Sequence, residues 1–361
     1  MEMVQHSRNQ DLDGVRGLAI LLVIAAHVGL PVRWGGLSGV TLFFVLSGYL
    51  ITTLLIREWD TFGSVSLWRF WGRRALRLLP ALVLLLALVP VLLLVTHDDR
   101  LRTYPTAAVA SLLYVGNWVR VHGTDLGVLN HLWSLSVEEQ FYVVWPLLFI
   151  ALLRWWRRHV VTVVVTLAAI ATCYSVWSRG SYISTESNAF ALLLGVSLAL
   201  ALAGIHRRGW RLPAASPAVP FAVLVAVSAF PSHGLATDVS LFEPLGALYA
   251  FISVWLVASA ALGHSRVVGS RFMVFFGTIS YALYLWHQTL INSHLLGPHA
   301  IPRNLVLVAV AIALAWISWV AVERPIGRLR GRLHLDRRRE PAPAAADERP
   351  LVTQGAAEPS S

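Results

Sequence analysis

Read for hydrophobicity alone, the chain alternates between long apolar runs and short polar connections. Runs near the roughly 20 residues a membrane-crossing helix needs fall at 14–31, 39–56, 78–96, 137–153, 160–177, 188–205, 216–231, 241–262, 272–295 and 303–322. The pattern predicts an all-α integral membrane protein of about ten transmembrane helices. The stretch 106–119 is apolar but short. It predicts a re-entrant or interfacial helix; were it to span, the count would become eleven. The first run lacks a small-residue cleavage pattern and reads as a retained span. The last run ends Val322-Glu323-Arg324-Pro325, where the proline is expected to stop the helix. From about residue 340 the chain is rich in proline, alanine and glutamate and reads as disordered. The expected division is a cytoplasmic N-terminal segment 1–10, a membrane domain 11–325 and a basic, then disordered, tail 326–361, with no short internal repeat.

Composition sharpens this picture. Hydrophobic residues make up 57% of the chain and charged residues 13%, where a soluble domain carries about a quarter charged. The net charge is +10, and all 29 basic residues are arginine. These arginines cluster between apolar runs, which argues for a topology signal and against a nucleic-acid surface. With the N-terminus inside, the cytoplasmic connections hold Arg57, Arg69, Arg73, Arg74 and Arg77, then Arg154, Arg157 and Arg158, then Arg207, Arg208 and Arg211, then Arg266 and Arg271. The opposite connections hold Arg33, Arg100, Arg102, Arg120, Arg179 and Arg303. The asymmetry favours an even number of spans, both termini in the cytoplasm and a multi-pass place in the plasma membrane. Trp34, Trp155 and Trp156 near span ends read as interfacial anchors. The single cysteine, Cys173, permits neither an internal disulfide nor a cysteine metal site. It reads as a small core or lipid-facing residue.

Polar groups inside spans need a reason. In the first run Asp13 and Arg16 are three apart and can pair. Arg16 and His27 are eleven apart, so they project nearly in line, roughly 16 Å apart along the axis. A span-end arginine and a core histidine bonded to a neighbour would give the same pattern. In the second run Ser47-Gly48 permits close approach of a backbone or a ligand. Arg73, Arg74 and Arg77 would form one cationic ridge on a helix, suited to phosphates or to anionic lipid. The fourth run opens His131-Leu132-Trp133-Ser134-Leu135-Ser136-Val137-Glu138-Glu139. Glu138, Tyr142 and Trp145 share a face, and Glu139 suits a helix N-terminus. In the ninth run Ser280, Tyr284 and His287 share a face, a polar stripe of the kind that lines a cavity.

Taken together, these segments resemble the acyltransferase-3 family of membrane acyltransferases. The matching pieces are Asp13…Arg16-Gly17…His27, Phe43-Phe44…Ser47-Gly48, Arg73-Arg74…Arg77…Pro80, Trp133-Ser134-Leu135-Ser136-Val137-Glu138 and Ser280-Tyr281…Tyr284-Leu285-Trp286-His287, in that order across residues 11–325. The resemblance implies about ten spans, acyl-CoA as a co-substrate reached from the cytoplasm, and O-acylation of a carbohydrate, glycolipid or glycosylated metabolite such as a macrolide. It implies no permanently bound cofactor and no metal. The family often carries a further span and an extracytoplasmic hydrolase-like domain; neither is read here, so acceptor choice is expected to rest with the membrane part.

On this reading His27 is the catalytic base or first acyl acceptor, and Arg16, held by Asp13, orients the donor or stabilises developing charge. Arg73, Arg74 and Arg77 grip CoA phosphates with Ser47 nearby, and Glu138 positions His27 or the acceptor. Trp133, Ser136, Tyr142, Tyr284 and His287 line the substrate site. The arrangement requires His27 and Arg16 to open onto a common polar tunnel that reaches the arginine ridge. A transporter with no acyl-transfer chemistry is the competing class, although the chain lacks the two related halves typical of transporters.

Overall fold

The computed structural model describes residues 9–32, 34–177, 182–210, 212–229 and 242–332. The segment 1–8, most of the tail, and Arg33, Arg179 and Arg211 lie outside them. The described residues are helical and contain no strand. In chain order the helices are α1 (Gln10–Val28), α2 (Gly35–Phe62), α3 (Leu67–Val95), α4 (Tyr104–Leu112), α5 (Gly116–Val121), α6 (Trp133–Trp155), α7 (Val160–Trp177), α8 (Thr185–Arg207), α9 (Ala218–Ser228), α10 (Phe242–Leu262), α11 (Arg271–Ile291), α12 (Ile301–Ser318) and α13 (Arg324–Arg332).

Each of the ten expected spans coincides with a helix, and seven segments are long and apolar enough to cross a membrane. The helices α1, α9 and α11 fall short for different reasons. Helix α9 has only 11 residues. Helix α1 carries Asp11, Asp13 and Arg16, and α11 carries Ser280, Tyr281, Tyr284, His287 and Gln288. The chain is therefore a multi-pass membrane protein in which α1 and α11, the two long helices that fall short, pack side by side. The apolar stretch 106–119 is two short helices, α4 and α5, separated by a turn with Tyr114 at φ 54. Nine residues of α helix rise only about 14 Å, too little to span.

Local chemistry sets the helix ends. The Asn9 side chain accepts from the backbone N–H of Asp11 (3.0 Å) and Leu12 (3.2 Å), and Gly29 closes α1 at φ 97. Ser184 caps α8 through Ser187 N–H (3.2 Å), and Ser270 caps α11 through Met273 N–H (3.3 Å). Two boundaries depart from expectation. Helix α3 begins at Leu67, so the arginine ridge is part of a helix rather than of a loop. Pro325 does not stop the chain: Trp319–Glu323 widens to a π turn, and Pro325 sits in the first turn of α13, where its missing N–H costs nothing.

Helix α1 packs against α2 and α11, and α2 packs against α8. Glycines set the distances. A β-carbon on Gly17 would stand 2.1 Å from the Met273 carbonyl oxygen of α11. On Gly48 it would stand 2.0 Å from that of Leu192 on α8, and on Gly195 2.0 Å from that of Val45. Ser47-Gly48 thus serves the close packing its small residues predicted. The same contacts bring polar groups of α1, α2 and α11 to one interior. Outward, Val91, Leu94 and Ile170 are each more than half exposed, as a lipid-facing surface requires. Exposed Cys173 lies on this outer surface of α7. Trp155 and Trp156 are exposed as expected of interfacial anchors, whereas Trp34 is buried.

Ion pairs fix which helix ends share a side. Arg207 Nη2 lies 2.7 Å from Asp60, joining the ends of α2 and α8, and Arg73 lies 3.7 Å from Glu58, joining α2 to the start of α3. At the other end Arg100 pairs with buried Asp98 and donates to the Asn292 carbonyl (2.8 Å), tying the loop after α3 to the end of α11. The Arg100 hydrogen bonds hold the Asp98 carboxyl below the usual aspartate range. The arginine-ridge end is called inner below, and the opposite end outer.

Candidate active site

Towards the inner end, α1, α2, α3, α6 and α11 enclose a cavity of about 80 Å³ lined by Arg16, Ser47, Arg74, Arg77, Glu138, Glu139, Tyr142, Ser280 and Tyr284, among others. Arg74, Glu138 and Glu139 are engaged by neighbouring side chains. The Arg74 guanidinium lies 3.1 Å above the Tyr142 ring, and its Nη2 is 3.4 Å from Glu139 Oε1. Glu138 accepts hydrogen bonds from Ser47 Oγ and Tyr142 OH. The four-residue spacing of Glu138 and Tyr142 on α6 sets the second contact. Trp145, one turn on, donates to Thr52 (2.9 Å) and fixes α6 against α2.

Towards the outer end lies a second cavity, of about 450 Å³, lined by His27, Trp34, Arg120, Asn130, His131, Trp133, Tyr182, Tyr284 and Gln288, among others. Nδ1 of His27 is 2.7 Å from the Val23 carbonyl oxygen. A carbonyl only accepts, so the proton sits on Nδ1 and Nε2 of the neutral ring keeps its lone pair. The His287 ring meets His27 edge-on at 5.3 Å between centroids, and His131 meets His287 at 5.5 Å. Both donate to backbone: His287 Nδ1 to Tyr284 (2.8 Å), His131 Nε2 to Leu285 (3.2 Å). Their other nitrogens, His287 Nε2 and His131 Nδ1, are buried with no hydrogen-bond partner among the described residues. Beside this cavity, outside the helices, Asn130 and Gly127 donate to Asp125 and hold its carboxyl below the usual range. Among the described residues, no group of three His, Cys, Asp or Glu side chains is arranged to hold a metal ion.

Tyr284 and Val40 line both cavities. Tyr284 OH donates to the His131 carbonyl (2.8 Å) and pairs with Ser134 Oγ (2.5 Å), which anchors the ring between them. The expected common tunnel is thus two chambers sharing one wall. Arg16 and His27 do lie along one side of α1, as their spacing requires, but they face different chambers. A third cavity, about 1160 Å³ and mostly apolar, opens beside α3, α6, α7 and α8, and meets the inner one at Arg74, Glu139 and Tyr142.

The structure redistributes several expected roles. Arg74, Arg77 and Ser47 come together with Arg16, but Arg73 turns away to Glu58 and does not line the cavity. Asp13 and Arg16 form no ion pair with each other among the described residues; Asp13 is buried at the α1–α11 crossing, where glycine contacts bring its backbone against Gly277. The hydrogen-bond partners of Glu138 are on the inner side, so bracing His27 falls to the Val23 carbonyl instead. Tyr142 belongs to the inner cavity, and Trp133 and Tyr284 line the outer one. Ser136 donates back to its own helix at Leu132 (3.2 Å) and lines neither. His287 is fully buried behind His27. Sequence reasoning assigned no site role to His131, Ser134, Glu139, Arg120, Tyr182 or Gln288; it read Glu139 as an acid at a helix N-terminus and Arg120 as part of the topology signal. Ser134 stands within the Trp133–Glu138 motif and His131 two residues before it, which is the one signal that could have found them.

A family model described as an acyltransferase domain, that of the acyltransferase-3 family, matches residues 9–323. The chain belongs to the acyltransferase-3 family. Every residue of both chambers lies inside that match. The chain is 30% identical to the peptidoglycan O-acetyltransferase OatA of Listeria monocytogenes over 354 residues, 87% of this chain and 55% of that protein. It is 31% identical over 312 residues to a putative O-acetyltransferase of Staphylococcus aureus, 78% of this chain and 50% of that one. It is 29% identical over 348 residues to the O-acetyltransferase OatA of Staphylococcus aureus, 87% of this chain and 56% of that one. The chain thus spans about half the length of the curated relatives it matches. No solved structure matches it.

Proposed function

We propose that this acyltransferase moves a short acyl group, acetyl in the first instance, from acyl-CoA to a hydroxyl of a carbohydrate or glycosylated acceptor. The observation that carries this reading is the pair of chambers that meet at Tyr284, one lined by arginines and one by histidine with an open Nε2. Family membership supports acyl transfer over a transporter without chemistry. The names of the relatives support an O-linked acetyl group and a cell-envelope glycan such as peptidoglycan.

Arg74, Arg77 and Arg16 supply bidentate donors for the CoA phosphates at the inner mouth. The inner chamber, about 80 Å³, is small against the roughly 300–1,000 Å³ of whole-ligand sites. It takes the thioester end of the donor and leaves the nucleotide at the arginine entrance, which favours a short acyl group. In the transfer step His27 Nε2 accepts the proton of the acceptor hydroxyl. The hydroxyl oxygen bonds to the thioester carbonyl carbon, the carbon–sulfur bond breaks, and CoA leaves as the thiolate that takes up a proton. Transfer by way of an acyl-His27 intermediate uses the same open nitrogen. Either route brings the acyl carbon past Tyr284. The arginine asymmetry supports an inner mouth and both termini in the cytoplasm, and the proposed site of action is the plasma membrane.

The test is thiol release from acetyl-CoA by the purified protein in the presence of glycan acceptors, with mass detection of the acetylated product. His27→Ala is expected to lower transfer by about 10²–10⁴-fold at unchanged protein level. Full activity in that variant, or no release by the unaltered protein, overturns the reading.

A further inference from the structure

The outer chamber holds a cation that the transfer step does not use. Arg120, on α5, lines the cavity and is half-buried. Its Nη1 donates to the Asn130 carbonyl (3.1 Å), and no carboxylate lies within ion-pair distance of it among the described residues. The acid that acts on it, Asp125, is taken up by the Asn130 side chain and the Gly127 N–H. A guanidinium carries five N–H donors in a planar fork, so most of this one's capacity is left for whatever enters the chamber.

The rest of the lining narrows what that is. Trp34, Trp133 and Tyr182 supply aromatic surface, with Trp133 and Tyr182 edge to face at 5.0 Å. Asn130 and Gln288 line the chamber with Arg120 and His131, the Asn130 amide also donating to Asp125 and accepting from the Leu126 N–H. Aromatic faces beside a few placed amides suit a pyranose, whose C–H face packs on the rings while its hydroxyls meet the amides. The volume, about 450 Å³, lies within the roughly 300–1,000 Å³ of small-ligand sites. A single unpaired guanidinium matches one carboxylate, which it grips through two parallel hydrogen bonds. A phosphate dianion would call for a second cation, and Arg120 is the only arginine or lysine lining this chamber among the described residues.

We propose that the outer chamber is the acceptor subsite, that it takes a sugar ring bearing a carboxylate, and that Arg120 reads that charge. The proposal rests on His27 being the transfer base of the same chamber. It makes Arg120 a specificity residue, distinct from the arginines of the donor mouth.

The experiment compares two probes that differ only in the carboxylate, a methyl glucuronide and methyl glucoside, by calorimetric binding to the full chain in lipid nanodiscs. The expected result is at least about 10-fold tighter binding of the glucuronide, and a ratio near one in Arg120→Gln. Arg120→Lys, which keeps the charge and loses the fork, should fall between. Arg102→Gln, an exposed position away from the chamber, should bind as the unaltered protein does. Equal binding of the two glycosides, binding of neither, or discrimination that survives Arg120→Gln overturns the proposal. Thiol release from acetyl-CoA, measured on the same preparations, separates this result from the transferase reading. Charge-selective binding without release retires the transferase and with it the acceptor role, leaving Arg120 as a carboxylate reader of this chamber; release without selectivity keeps the transferase and retires the Arg120 assignment.

Discussion

The two chambers use buried polar groups in opposite ways. In the inner one two strong charges are engaged by protein: Arg74 has Glu139 and the Tyr142 face, with only its Nε left over, and Glu138 has Ser47 and Tyr142. In the outer one and directly behind it, two imidazole nitrogens and most of a guanidinium have none. A site that grips a polyanion gains from charges locked in place before the ligand arrives. A site that moves a proton and admits varied hydroxyls needs lone pairs and N–H groups left open, at a cost in stability of about 1–3 kcal/mol for each buried one. On the proposed reading, the contrast puts donor and acceptor at different ends, with Tyr284 between them.

Breaking the inner network should have the largest effect on the folded protein. Arg74→Ala leaves Glu139 as a buried carboxylate without its cation and should cost about 3–5 kcal/mol of stability, read as a lower unfolding temperature in detergent. Adding Glu139→Gln should restore most of that loss while the donor KM stays raised. Recovery of both would reduce Arg74 to a structural role. Tyr284→Phe removes the hydroxyl that holds the wall, two hydrogen bonds of about 0.5–1.5 kcal/mol each. It should lower the transfer rate about 10-fold with donor KM unchanged; a changed KM with an unchanged rate would move Tyr284 into the donor site. Arg73→Ala should do least. Its 3.7 Å pair with Glu58 is partly exposed and contributes within about 1 kcal/mol. Donor KM should not move, and a raised value would return Arg73 to the phosphate grip that its position in the sequence implied.

These contrasts also mark what could be read without coordinates. Ten helical segments were legible because lipid demands long apolar runs, and the Arg16-to-His27 alignment was legible because eleven residues bring a helix back to nearly the same side. The lengths of α2 and α3 were not, since a helix can continue past its apolar stretch into water, where Arg57, Arg69 and Arg73 are no obstacle. Nor was the fate of the arginine ridge. Residues 73, 74 and 77 look equivalent on a helical wheel, but Glu58 draws the first away and Glu139, 65 positions from Arg74, holds the second. Contacts across that separation follow from packing, not from local pattern. The partition by Tyr284 was hidden for the same reason: its anchors, Ser134 and the His131 carbonyl, belong to a different helix and the turn before it.

Affinity for CoA, measured by calorimetry on the purified chain, tests the division of labour most directly. If donor and acceptor occupy separate chambers, His27→Ala binds CoA as the unaltered protein does while transferring about 10²–10⁴-fold more slowly, and the Arg74→Ala, Arg77→Ala double variant binds it at least about 10-fold more weakly. Weakened CoA binding in His27→Ala, or unchanged binding in the double arginine variant, would contradict the assignment of the two ends.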